Sequence, residues 1–257
     1  MPFTVSHVAA VLPLRYGRAG LLLATPPLVI GSMAPDTPSV VGARQFRDLT
    51  HTLVASMTVD VAVTGVGCLV WAFVLRPVVA DLVPGLAARW GPLHRSERTW
   101  PTRAALWYLA AAIGCFTHVL WDAFTHAGGA SRSWIPFQRI DVWIFETLQV
   151  VSSIVGLLIL LWWSVRWWRS HPPVGREWHD HSPARTVHRR RMGLAVGVVL
   201  GATVWAALAR VLDSSQPIEP LRVLVNLGFG ALAGALVSAL LVAVVYRLTL
   251  LRHVPSA

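Results

Sequence analysis

Long apolar stretches, separated by short segments rich in arginine or proline, dominate the chain. A transmembrane helix needs about 20 predominantly apolar residues to cross the hydrocarbon core of a bilayer. A short run of this kind covers residues 19–33, and five longer runs follow it. The five longer runs span residues 51–75, 104–125, 146–168, 192–212 and 223–248. This pattern predicts an all-α fold, a polytopic transmembrane helical bundle with about five full spans and an N-terminal short helical hairpin.

The predicted hairpin consists of two short helices joined by a basic turn. The first helix runs to about Leu14, residues 15–18 form the turn, and residues 21–33 form the second helix. We favour this arrangement, which brings His7 and Asp36 to the same end of the bundle. The alternative is a single span preceded by a loose tail, which leaves His7 on the side opposite Asp36.

The composition agrees with a membrane protein and excludes several other classes. The chain is 55% hydrophobic and 13% charged, whereas a soluble domain carries about 25% charged residues. Both cysteines, Cys68 and Cys115, lie inside predicted spans, so neither a disulfide framework nor a thiolate metal site is expected. The net charge of +10 comes with no nucleic-acid recognition motif. We therefore expect the lipid bilayer, and no nucleic acid, as a partner.

The distribution of arginine orients the predicted spans. Residues 76–103 and 166–191 hold the most arginines and are predicted to be cytoplasmic loops of a multi-pass protein of the cell membrane. The segments poor in arginine are predicted to be extracytoplasmic, and they are residues 35–50, 126–141 and 213–220.

Three parts follow from the same pattern. Residues 1–170 form a membrane-embedded domain with the candidate site. Residues 171–191 form a basic cytoplasmic linker, and residues 192–257 contribute two additional transmembrane helices.

One apolar segment carries an unusual column of polar side chains. His118, Asp122 and His126 follow at four-residue steps, which places them on one face of a helix. An Asp near the centre of a membrane helix costs about 2.5–3.5 kcal/mol on insertion scales, so a compensating partner is required. His118 and Asp122 can hold one metal ion together. His126 lies about 12 Å along the helix from His118, so we assign it to a second ion, a substrate phosphate or proton transfer.

Two further polar residues lie inside predicted spans. Asp60 follows His51 by nine residues, which places it about 13 Å deeper and on the opposite face of a continuous helix. Gln149 forms a polar stripe with Ser152 and Ser153. In an enzyme these residues would support the metal ligands or contact the substrate. In a transporter they would line a polar path, and in a non-catalytic scaffold they would form a polar network.

Four motifs resemble those of a bacterial membrane family catalogued only as a domain of unknown function, DUF4184. They are Pro2-Phe-Thr-Val-Ser-His7, Ile30-Gly-Ser-Met-Ala-Pro-Asp36, Thr50-His-Thr-Leu53 and Thr117-His-Val-Leu-Trp-Asp-Ala-Phe-Thr-His126. The resemblance covers about residues 2–170. That family is distantly similar to the LexA-regulated, membrane-bound metal-dependent hydrolases, which share an early His, a Pro-Asp, a Thr-His and a His-x-x-x-Asp.

The resemblance implies a ligand set and a class of reaction. The metal ligands it implies are His7, Asp36, His51, His118 and Asp122, around a divalent ion that we expect to be zinc. The hydrolases have a further acid two residues after the Pro-Asp, but Pro38 stands in that place here, which weakens the case for a two-metal centre. The implied reaction is metal-dependent hydrolysis. Because the site is predicted to face the extracytoplasmic lipid surface, we expect a lipid-linked ester or phosphoester as substrate, with Arg132 or Arg139 pairing with phosphate.

Overall fold

The structure is a computed structural model, and it describes residues 4–16, 24–90, 99–125, 142–172, 183–212 and 220–251. Every regular element in these ranges is helical, and no strand occurs in them. The predicted all-α membrane fold is therefore confirmed. His126, Arg132 and Arg139, and much of the predicted linker, lie outside the described residues.

The first part of the chain consists of short helices and single turns. A 3₁₀ turn at Thr4–His7 leads into α1, Val8–Val11, and a second 3₁₀ turn at Leu12–Arg15. The remaining short helices are α2, Thr25–Gly31; α3, Thr37–Val40; α4, Arg47–Thr50; and α5, Leu53–Met57. Further 3₁₀ turns at Ala34–Asp36 and Arg44–Phe46 connect them.

Seven further helices, most of them longer, make up the rest of the described chain. They are α6, Val59–Val70; α7, Arg76–Leu82; α8, Pro84–Trp90; α9, Trp100–Thr125; α10, Val142–Ser170; α11, Pro183–Leu212; and α12, Pro220–Leu251. A π-helical segment, Trp71–Leu75, joins α6 to α7.

Four helical stretches among the described residues are long and apolar enough to cross a membrane. They are Val59–Ala80, Trp100–Thr125, Ile144–Ser170 and Val225–Tyr246, and a shorter apolar stretch covers Gly193–Ala209. The chain is thus a multi-pass helical protein whose apolar helices fit a lipid bilayer.

The structure corrects two expectations, one about the apolar run over residues 51–75 and one about the predicted loop over residues 76–103. The run over residues 51–75 is not one helix, because Thr58 has φ −128° and ψ −86° and separates α5 from α6. The basic segment over residues 76–103 is not a loop throughout, since α7, α8 and the first turn of α9 occupy much of it. The π-helical turn precedes Pro77, whose ring cannot accommodate regular α-helical hydrogen bonding to the preceding turn.

The described residues fall into two compact units. One comprises Met1–Cys68 with Ser96–Val165, and the other Leu69–Arg95 with Arg166–Ala257. In the second unit α11 and α12 pack closely: a Cβ added at Gly230 or Gly234 would lie within about 2.6 Å of an α11 backbone carbonyl. Small residues at such positions let membrane helices approach one another closely.

In the first unit, α2 lies directly against α9. A Cβ added at Gly31 would lie 2.6 Å from the carbonyl oxygen of Ala111, and one at Gly114 would overlap the carbonyl oxygen of Leu28. Hydrophobic residues including Val11 and Leu28 are buried around this contact. Because the contact is between backbones, it fixes the register of the segment after α2 relative to the last turns of α9.

We predict that Gly114→Ala destabilises the protein by about 1–3 kcal/mol, the usual cost of overpacking. The matched control is Gly65→Ala, where the added Cβ would meet only a Trp107 ring atom at 3.5 Å. Both changes replace a helical glycine with alanine, so their difference isolates the overlap with α2. Thermal unfolding in detergent measures it, and equal stability of the two variants would contradict the packing described here.

Candidate metal centre

Four buried side chains bring nitrogen and oxygen donors together in the first unit. One donor atom each from Asp36, His51, His118 and Asp122 lies within 4.8 Å of all the others. Asp36 comes from the 3₁₀ turn after α2, His51 from the end of α4, and the other two from adjacent turns of α9. All four residues are at most 1% exposed.

The separations between these donors match those around a small metal ion. His51 Nε2 lies 3.2 Å from Asp122 Oδ2 and 3.5 Å from Asp36 Oδ1. His118 Nε2 lies 3.7 Å from Asp36 Oδ1 and 3.8 Å from Asp122 Oδ2. Ligands about 2.0–2.2 Å from a tetrahedral zinc are about 3.4 Å from one another. The four donors can therefore close on one ion with small adjustments.

Backbone carbonyls determine which nitrogen of each imidazole faces the cluster. His51 Nδ1 lies 2.9 Å from the carbonyl oxygen of Arg47, and His118 Nδ1 lies 2.8 Å from that of Ser32. A carbonyl oxygen only accepts hydrogen bonds, so each Nδ1 must carry the proton. In the neutral rings, Nε2 then presents its lone pair to the two carboxylates. Metal-bound histidines commonly have this outer hydrogen bond.

The carboxylates are also oriented by neighbouring groups. The Thr4 hydroxyl donates to Asp36 Oδ2 at 2.7 Å, which leaves Oδ1 facing the imidazoles. Arg47 Nη2 donates to Asp122 Oδ2 at 3.0 Å. The Thr50 hydroxyl donates to the carbonyl of Pro35 at 2.7 Å and so ties the segment before His51 to the turn that carries Asp36.

The cluster has a strong requirement for positive charge. Among the described residues, Asp36 Oδ1, His51 Nε2 and His118 Nε2 are buried without a partner in hydrogen-bond geometry. Burial lowers the pKa of His51, but the carboxylates of Asp122 and Asp36 outweigh burial and raise it to about 9. Burial raises the pKa of Asp36, but His118 and His51 outweigh burial and hold it below its usual range. A proton or a metal ion can satisfy this requirement, and the two compete.

His7 lies beside the four-donor group. Its Nε2 is 3.4 Å from Asp122 Oδ1, and its ring stacks on that of His118 with centroids 3.8 Å apart. Burial and the neighbouring His118 lower the pKa of His7 despite the nearby carboxylates, which favours a neutral ring that can act as a ligand. The sequence-predicted residues His7, Asp36, His51, His118 and Asp122 are thus brought together, and their role as ligands stays a prediction.

Asp60 and Gln149, the two further polar residues singled out in the sequence, lie outside the four-donor group. Asp60 is fully buried, and within the described ranges neither carboxylate oxygen has a hydrogen-bond partner. It does not belong to the four-donor group, yet His51 and His118 lie within electrostatic range of it. Because the helix is broken at Thr58, the separation between His51 and Asp60 that was expected from one continuous helix does not apply. Gln149 is buried, and its backbone carbonyl accepts a hydrogen bond from the Ser153 hydroxyl.

Sequence reasoning missed the groups that orient the donors. Thr4 lies three residues before His7, and Arg47 lies four residues before His51, which is the spacing that brings side chains together on a helix. The four-residue spacing could therefore have indicated from the sequence that Arg47 lies beside His51. The carbonyl of Ser32 carries no sequence signal at all, because every residue has one.

Imidazole and carboxylate donors suit zinc, manganese or iron(II) rather than calcium or magnesium. The buried cluster can therefore hold a metal ion, and the outer hydrogen bonds hold its donors in the orientation that binding requires.

We predict that Asp36→Asn removes stoichiometric zinc from the purified protein. An amide oxygen is a neutral ligand, so affinity should fall by more than the about 10–100-fold cost of losing an outer partner. The matched control is Asp60→Asn, since Asp60 is also 0% exposed but does not belong to the four-donor group. Elemental analysis after dialysis against limiting zinc measures the difference. Equal zinc content in the two variants would refute this assignment of donors.

Comparison with known proteins agrees with the motif resemblance. A family model described as "Domain of unknown function (DUF4184)" matches residues 1–245, which extends the resemblance well beyond residue 170. No match was found among curated proteins or among solved structures. Because the family model covers nearly the whole chain, this protein belongs to the DUF4184 family, which is described as a domain of unknown function.

Proposed function

We propose that this protein is a metal-dependent hydrolase of the cell membrane, with zinc held by His7, Asp36, His51, His118 and Asp122. One observation carries the proposal. The two imidazoles with Nδ1 bound to backbone carbonyls direct Nε2 at two buried carboxylates, at 3.2–3.8 Å. Three of the four gaps, at 3.5–3.8 Å, are longer than a hydrogen bond, and all four are close to the spacing of ligands around a small metal ion.

Zinc bound there would lower the pKa of a coordinated water towards about 7 and polarise a phosphoryl or carbonyl oxygen. The chain supplies the orientation. Ser32 and Arg47 hold the rings through their carbonyls, and Thr4 holds Asp36. Burial of all the donors strengthens their interaction with a cation.

The location proposed for the site is the extracytoplasmic side of the membrane. Its support is the position of the arginine-rich segments, which would lie in the cytoplasm. The donors come from the opposite ends of the spans, close to the end of α9 and the start of α6. A substrate drawn from the bilayer, a lipid-linked ester or phosphoester, follows from this placement.

Arg47 favours a phosphoester over a neutral ester. Its guanidinium contacts Asp122, and its side chain is 21% exposed while that of Asp122 is 1% exposed. It thus extends from the buried cluster to the surface, where an entering ligand would meet it. A cation bound to Asp122 would repel the guanidinium, which could then pair with a phosphate oxygen. The pairing of Arg132 or Arg139 with phosphate stays a prediction, because both residues lie outside the described ranges.

The activity is tested with the zinc-loaded protein in detergent and two chromogenic substrates, an aryl phosphodiester and an aryl ester of a fatty acid. We predict hydrolysis that is lost with a chelator and restored by zinc. Asp36→Asn should abolish it and Asp60→Asn should retain it. Hydrolysis that is equal in the two variants, or that survives removal of zinc, would contradict the proposal.

We further predict that Arg47→Gln lowers kcat/KM for the phosphodiester by about 10–100-fold, the usual value of a charge-assisted hydrogen bond. The ester, which has no anionic oxygen, should change by less than about threefold on the same reasoning. Arg44→Gln is the control, because Arg44 lies on the preceding turn and is exposed. Equal losses for both substrates would assign Arg47 a structural role only, and the zinc content of each variant separates loss of metal from loss of substrate binding.

A second candidate function, cation transport, is favoured by Asp60 alone. A buried carboxylate at the start of the span Val59–Ala80 is typical of an ion pathway. In proteoliposomes, transport would be lost in Asp60→Asn while zinc content and hydrolysis would not change.

A further inference from the structure

A narrow cavity of about 160 Å³ opens on the surface of the first unit, beside the candidate metal centre. Its walls come from the N-terminal 3₁₀ turn and α1, from Trp121 on α9, and from Val155 and Ile159 on α10. We call it the α10 groove. It is similar in size to the apolar cavity of about 150 Å³ that binds a benzene ring, so it can take a short segment of a hydrocarbon chain.

Backbone packing fixes the inner wall of the α10 groove. A Cβ added at Gly156 would lie 2.8 Å from Ser6 Cβ and 2.9 Å from the carbonyl oxygen of Ser6. The N-terminal turn therefore lies directly on α10 at this glycine. The groove is a preformed feature of the fold, since its inner wall cannot move without separating these two elements.

The α10 groove shares one residue, His7, with the surroundings of the candidate metal centre. His7 lines the groove, and the same ring lies 3.4 Å from Asp122 and stacks on His118. A molecule seated in the groove would therefore touch a residue of the His/Asp cluster.

The outer end of the α10 groove faces the apolar surface of two candidate spans. Trp121 is 45% exposed, Val155 is 48% exposed and Ile159 is 40% exposed, and all three lie within the stretches Trp100–Thr125 and Ile144–Ser170. In a bilayer these side chains adjoin lipid chains. A polar ligand would gain little from them, whereas a hydrocarbon chain can enter the groove sideways from the membrane.

We infer that the α10 groove binds one hydrocarbon chain of the lipid substrate and holds its ester or phosphoester group at the metal centre. This inference rests on the proposed function and adds the means of recognition. Each methylene buried in such a groove improves affinity by about fourfold. The groove thus selects a substrate that carries a hydrocarbon chain over a free phosphoester in water.

The experiment uses the zinc-loaded full-length protein in dodecyl maltoside and a phosphatidylglycerol with a photoactivatable diazirine in one acyl chain. Mass spectrometry locates and quantifies the crosslinks at a series of probe concentrations. The expected result is saturable labelling of the groove, at α1 and near Val155. Excess unlabelled phosphatidylglycerol should compete with it, whereas free glycerol phosphate should not.

Two variants make the test specific. Val155→Trp fills the α10 groove and should reduce groove labelling by more than about tenfold, since excluding two methylenes costs about fourfold each. Leu158→Trp is the matched control, because Leu158 is an exposed residue of the same helix that does not line the groove. Ala10→Leu, at an exposed residue of the groove wall, is the second groove-filling variant if Val155→Trp does not fold.

Labelling that does not saturate, or that falls equally in Val155→Trp and Leu158→Trp, would overturn the inference and indicate ordinary annular lipid. The result is independent of catalysis because labelling needs no turnover. Zinc-dependent hydrolysis without groove labelling would overturn the chain-binding groove alone. Groove labelling without any hydrolysis would overturn the proposed function and, with it, the assignment of the bound lipid as substrate.

Discussion

The structure depends on a buried cluster in which imidazole nitrogens and carboxylate oxygens, all of them potential metal ligands, face one another. Two imidazole nitrogens and two carboxylate oxygens lie 3.2–3.8 Å apart. Three of these four atoms, Asp36 Oδ1, His51 Nε2 and His118 Nε2, are buried without a partner in hydrogen-bond geometry among the described residues. Burying one unpaired charge costs several kcal/mol, and burying two carboxylates together costs more unless a cation lies between them. The whole first unit can be understood as a scaffold that pays this cost in order to hold a cation.

The scaffold achieves this with backbone contacts rather than with flexible side chains. The glycine contact between α2 and α9 places the carbonyl of Ser32 against His118. One helical turn before His51, the carbonyl of Arg47 orients that ring in the same manner. Backbone groups lose little entropy on forming such contacts, because the helices that carry them are already ordered. The donors are therefore held in position before any ion arrives.

Much of the fold could be predicted from the sequence, because bilayer-length apolar runs and arginine distribution are strong signals. The four-residue spacing of His118 and Asp122 also identified one face of α9, and chain topology placed Asp36 and His51 near it. The break at Thr58 and the helices between residues 76 and 90 were not predicted, since no proline or glycine marks the former and arginine content masked the latter. Thr4 and the Ser32 carbonyl act through tertiary contacts, which a single sequence does not encode locally.

The most direct measurement of the central claim is the X-ray absorption spectrum of the purified protein at the zinc edge. The account predicts a first shell of nitrogen and oxygen at about 2.0–2.2 Å, with outer scattering from imidazole rings and no sulfur at about 2.3 Å. A spectrum without imidazole scattering, or a protein that retains no zinc when every donor is intact, would contradict it.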